Sequence, residues 1–195
     1  MKRIHLIASA LLLLAWQAAE AHVGGNSLAG GFSAGLMHPV LGLDHVVAMV
    51  AVGLWGAFLG QPAIWVLPVV FPLVMTVGGV LGILGVPLPA TETGIALSAI
   101  VLGLMVAFAV RPPLALAALM VGFFAIFHGY AHGAELPASA SPLTFSLGFV
   151  VSTGLLHLAG IALGLLTRWH AGRRLVQAGG GVIAAIGVAF LVGVL

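Results

Sequence analysis

Cysteine is missing from the 195 residues. That absence excludes disulfides, thiolate-held iron–sulfur clusters and thiolate zinc sites. Charge is nearly missing as well. Charged residues make up 5% of the chain, six Lys+Arg and four Asp+Glu, against about 25% in a typical soluble domain. Such a chain has too little charge to cover a water-facing surface. With 62% hydrophobic residues and a mean hydropathy of +1.28, it reads as an all-α integral membrane protein. The sequence pI near 10.0 reflects a net charge of only +2. Lys2 and Arg3 sit at the extreme N-terminus, so no basic face for nucleic acid exists. No G-x-x-x-x-G-K-S/T occurs, so neither nucleotide binding nor an ATPase subunit is implied; HExxH is absent too. Two residue types are abundant. The 28 glycines fit close helix packing in lipid. The eight histidines are the residues that need explaining.

Met1–Ala21 reads as a secretory signal peptide, with Lys2 and Arg3 at its charged end, Ile4–Trp16 as its apolar stretch and Ala19-Glu20-Ala21 as the small-x-small cleavage pattern. Cleavage after Ala21 leaves 22–195 as one transmembrane domain and His22 as the mature N-terminus, where an α-amine beside an imidazole chelates metal. Six spans follow. Leu28–Leu59 is longer than the roughly 20 residues that a bilayer requires, which predicts a short entering piece, a break at His38-Pro39 and a helix to about Leu59. The other five are Trp65–Leu84, Thr91–Val110, Leu114–Tyr130, Thr144–Leu166 and Leu175–Leu195. With the N-terminus outside, Arg111, Arg168, Arg173 and Arg174 all fall on the cytoplasmic side, as the positive-inside rule requires. The rule played no part in placing the spans, so the agreement supports the count.

The chemistry gathers at the outer half of this topology. A carboxylate near the bilayer centre costs roughly 2.5–3.5 kcal/mol, which makes Asp44, between His38 and His45, a candidate functional residue. On a regular helix His38 and His45 stand about 10 Å apart along the axis. Either Pro39 and Gly42 break the helix and bring them together, or they are successive stations on a path. Asp44 is then a ligand or a carboxylate that orients an imidazole. Met49, one turn below His45, is a soft ligand or core packing. His128 and His132 have i,i+4 spacing and share a helix face about 6 Å apart, close enough to hold one metal, with Glu135 three residues beyond. Their competing role is hydrogen bonding across the bundle. His157, among apolar neighbours, is a ligand or a core histidine bonded to Thr153. Glu92, at a helix start, is best placed as a cap.

Imidazole and carboxylate together suit nickel, cobalt, zinc or copper, and residue types alone do not choose among them. Because metal competes with protons for imidazole, binding is expected to fall in mild acid.

The stretches HPVLGLDH (His38–His45), FHGYAHGAE (Phe127–Glu135) and GFVVSTGLLHLAG (Gly148–Gly160), in that order, resemble the conserved blocks of the HupE/UreJ family of membrane nickel permeases. The resemblance runs nearly the whole chain. It implies nickel or cobalt import, typically linked to hydrogenase or urease supply. It carries the metal role onto His38, Asp44, His45, His128, His132 and Glu135, and onto His157. The expectation is therefore a permease, not an enzyme, in a bacterial inner membrane with its mature N-terminus periplasmic. It would pass Ni2+ or Co2+ along a path of His22, His38, Asp44, His45, His128, His132, Glu135 and His157, with no tightly bound cofactor. The competing readings are a membrane haem protein or metalloenzyme using the same histidines, and an assembly subunit whose polar residues only join helices.

Overall fold

A computed structural model describes residues 28–136 and 141–195, which are helices and short turns throughout. The signal peptide read at Met1–Ala21 and the chelating His22 lie outside the described residues.

Helix α1 (Leu28–Leu41) and helix α2 (Leu43–Leu59) form a pair bent by 82°. The chain is broken as expected, but the break falls at Gly42 rather than at His38-Pro39. Pro39 lies in the last turn of α1, where it forfeits one helical bond, to the Gly35 carbonyl, just before the helix ends. Gly42 is extended (φ −94°, ψ 107°) and redirects the backbone, and Asp44 falls in the first turn of α2, where a carboxylate favours the helix dipole.

Helix α3 (Ala63–Ile83) carries Pro68 and Pro72 inside it. Helix α4 is Thr91–Ala107, and α5 (Leu114–Ala134) continues a turn past the expected end at Tyr130. Nothing in Ala131–Ala134 breaks a helix, and Gly133 there packs on the backbone of Gly79. Helix α6 is Pro142–Gly164, followed by a 3₁₀ turn, Leu165–Arg168. Helix α7 (His170–Leu191) begins five residues before the expected Leu175. Most of the expected polar loop Thr167–Arg174 is therefore helical, held by Gly172 against the backbone of Leu166.

By length and composition α3, α5, α6 with its 3₁₀ turn, and α7 are each able to cross a membrane, and the bent α1–α2 pair makes a fifth candidate. Helix α4, at 17 residues, is about 25 Å long. The protein is an all-α, multi-pass membrane protein.

Glycine contacts report how the helices run. Gly53 lies on the backbone of His157 and Ile161, and Gly164 on Leu54 and Ala57, so α2 and α6 are parallel. Gly129 packs on Met75 and Gly133 on Gly79, so α3 and α5 are parallel. Gly103 meets Gly180 and Ala184, while Gly187 meets Ala96 and Ile100, so α4 and α7 are antiparallel. At one end of the bundle Arg111 lies 4.7 Å over the Phe58 ring, Trp55 Nε1 donates to the Val110 carbonyl at 3.1 Å and Gln177 donates to the Ala107 carbonyl at 3.0 Å. Arg168, Arg173 and Arg174 belong to this end. Glu92, exposed in the first turn of α4, and Glu135, which caps α5, belong to the other.

Candidate metal centre

Helices α1, α2 and α5 bring four imidazoles into one column. His38 meets His132 with ring centroids 4.8 Å apart. His132 meets His45 at 4.3 Å, and His45 meets His128 at 4.8 Å. Exposure falls along the column. The side chain of Glu135 is 61% exposed and that of His38 32%, His45 and His132 are buried, and His128 is fully buried. Glu135 Oε2 lies 3.6 Å from His38 Nε2. His38, His132 and Glu135 each offer a ligand atom, and these atoms all lie within 4.8 Å of one another. Asp44, His45 and His128 do not join that close group. His132 thus belongs to two arrangements, one with His38 and Glu135 and one facing His45.

Hydrogen bonds decide which nitrogens are available. Asp44 Oδ1 accepts from the His45 backbone N–H and lies against His45 Nδ1, both at 2.8 Å. A carboxylate is acceptor only, so Nδ1 carries a proton, and in the neutral ring Nε2 keeps its lone pair. Nε2 is buried without a partner. Asp44 therefore stands as a carboxylate behind an imidazole, the arrangement of the second of its two expected roles. Gly42 makes room for the pair: a Cβ there would stand 2.9 Å from Asp44 Oδ1 and 3.2 Å from His45 Nδ1.

Ser98, in α4, does the same for His128. Its hydroxyl donates to the Ile95 carbonyl at 2.6 Å, which uses its only proton. It must then accept from His128 Nε2, 2.8 Å away. His128 Nδ1 is left with the lone pair, buried and unpartnered, and both ring nitrogens of His132 are unpartnered too. Orphaned polar atoms in a buried column cost about 1–3 kcal/mol each, an arrangement that makes sense if a ligand completes them. The expected role of His128 and His132 as partners in hydrogen bonds across the bundle holds only for the Ser98–His128 contact. Sequence reading passed over Ser98. Its signal was a lone hydroxyl in the apolar run of α4.

Below His128 the Phe71 ring lies 5.5 Å from both His128 and His157. His157 is buried on α6. The expected Thr153–His157 bond does not form: Thr153 Oγ1 and both nitrogens of His157 lack partners. Met49 is fully buried in the hydrophobic core. A cleft between α3, α5 and α6, lined by Met75, Gly129 and Phe149 among others, reaches His132, whose ring packs 4.2 Å from that of Phe149.

Comparison with known proteins agrees with this architecture. The family model for HupE / UreJ protein matches residues 10–190. Protein HupE of Rhizobium leguminosarum bv. viciae is 49% identical over 175 residues, which cover 90% of this chain and 91% of that protein. No solved structure matches the chain. The matched length spans every element that builds the imidazole column, and the chain belongs to the HupE/UreJ family, a class of membrane metal-ion transporters rather than enzymes.

Proposed function

We propose that this protein imports a divalent transition-metal cation, nickel first and cobalt second, through the column of His38, His132, His45 and His128. The observation that carries this reading is the run of imidazoles with unpartnered lone pairs, leading from the exposed Glu135 carboxylate into the buried bundle. Glu135 and His38, with His22 at the mature N-terminus, capture the ion. Asp44 and Ser98 hold His45 and His128 in the tautomers that present a lone pair. His157 receives the ion beyond Phe71. The choice of nickel rests on the family resemblance.

Counting α1–α2 as one span and α4 as another gives six. The helix directions support that count. In an alternating six-span chain the first and fifth spans run parallel, the second and fourth parallel, and the third and sixth antiparallel, as the glycine contacts have them. The segregation of arginines from Glu92 and Glu135 supports a periplasmic metal-entry side in a bacterial inner membrane. With no nucleotide motif, the membrane potential supplies roughly 4.6 kcal/mol for a divalent ion at 100 mV, which drives inward flux without an ATPase partner. A haem reading fits less well, because axial ligation needs an open slot between two imidazoles and these rings already touch.

Uptake of radiolabelled nickel and cobalt by cells expressing the wild type, His45→Ala and His132→Ala at equal membrane abundance tests the proposal. Loss of uptake in both variants is expected. Wild-type uptake equal to that of empty-vector cells would sink it.

A further inference from the structure

Helix α6 carries a second set of polar atoms that the outer column does not use. His157 and Thr153 are one turn apart on α6, 1% and 0% exposed. Both ring nitrogens of His157 and Thr153 Oγ1 are buried with no hydrogen-bond partner. A side-chain pair in lipid has every reason to bond internally when it can, since burying an unpaired polar group is costly. These two, at i,i+4 spacing, do not bond to each other.

A third group comes from α3. Pro72 has no N–H, so the carbonyl of Pro68, four residues earlier, has no helical donor. That carbonyl lies near the His157 imidazole, without a hydrogen bond to either ring nitrogen. Backbone groups freed inside a membrane protein need a partner from the protein, water or a ligand. Carbonyls at interrupted helices are a recurrent cation-binding device in transport proteins.

We propose that the His157 imidazole, Thr153 Oγ1 and the Pro68 carbonyl form an inner binding station for a divalent transition-metal ion, with the Phe71 ring between its imidazole and that of His128. The inference rests on the permease reading above and extends it beyond the outer column, whose two arrangements share His132, to a separate site. The chemistry of the inner set differs from that of the outer one. It offers one nitrogen and two neutral oxygens, whereas Asp44 and Glu135 both stand with the outer histidines. With no carboxylate, the inner station holds the ion more weakly. A weaker second site suits hand-over, since an ion bound tightly at the inner end would not leave.

The test is Co2+ and Ni2+ binding to purified full-length protein in detergent, with stoichiometry from equilibrium dialysis and coordination from the visible bands of Co2+. The wild type is expected to bind two ions per chain, the second about tenfold or more weaker. Thr153→Val removes one oxygen at constant shape. Pro72→Ala restores an N–H to the Pro68 carbonyl and makes α3 more regular, so it is not expected to unfold the protein. Each should weaken the second site about tenfold and leave the first unchanged. His157→Ala should abolish the second site, and His132→Ala should abolish the first while the second persists. A single ion per chain, lost in His132→Ala and indifferent to Thr153→Val and Pro72→Ala, would overturn the inner station and leave the permease standing. No bound ion and no cellular uptake in the wild type would overturn both.

Discussion

Helix α5 presents two faces built from one short stretch, FHGYAHG, and they behave in opposite ways. Gly129 and Gly133, at i,i+4, lie on the backbones of Met75 and Gly79 in α3. His128 and His132, also at i,i+4 and one residue earlier, face α2 and meet the His45 ring. The glycine face brings backbone against backbone. The histidine face leaves three ring nitrogens without partners, His128 Nδ1 and both of His132. One face therefore holds the bundle together and the other keeps unfilled bonding capacity. The rigid contact at the first face is what holds the imidazoles of the second in place, because the same turns of helix carry both.

Substitutions can separate the two faces. The largest effect is expected for Gly129→Leu. A Cβ at Gly129 would press on the Met75 carbonyl, and a full side chain forces α3 and α5 apart at a cost of at least about 1–3 kcal/mol. The expected result is a fall in folded, monodisperse protein in detergent and a lower Tm. His132→Ala, by contrast, should keep yield and Tm while uptake is lost. If Gly129→Leu purifies like the wild type, the glycine face is not the fastener.

Ser98→Ala should act more mildly and only on the chemical face. It frees His128 to protonate on either nitrogen, so the apparent KM for nickel uptake should rise about tenfold at unchanged protein yield. An unchanged KM would reduce Ser98 to a serine bonded to its own helix. Gly42→Ala should have the smallest effect. The added Cβ displaces the Asp44–His45 pair by a fraction of an ångström, and a few-fold loss of uptake with no change in Tm is expected. Uptake equal to wild type would show that the pair tolerates that shift.

Much of this was legible in the chain before any fold was known. The scarcity of charge and the long apolar runs place the helices in a membrane, because hydropathy is a local property. The i,i+4 spacing of His128 and His132 places them on one face, because helix geometry is local too. The bend in the first segment was legible from Pro39 and Gly42, but its position was not. Proline near a helix end costs little, and the space that the Asp44–His45 pair needs at Gly42 is seen only once both side chains are placed. The early start of α7 was hidden for a similar reason: Arg173 and Arg174 look like loop residues until Gly172 is seen docked on the turn before it.

The sequence by itself determined the medium, the helical class, the residue types able to hold a divalent metal and the family. The tertiary structure alone decided which of those residues meet. His38, His132, His45 and His128 alternate between two segments more than eighty residues apart in the chain, and Ser98 reaches His128 from a third helix. Such meetings depend on how closely whole helices approach, and that is set by glycines on faces other than the ones that carry the chemistry. No local pattern encodes that distance. The tautomers of His45 and His128, and with them the nitrogens left free, follow only after the packing is complete.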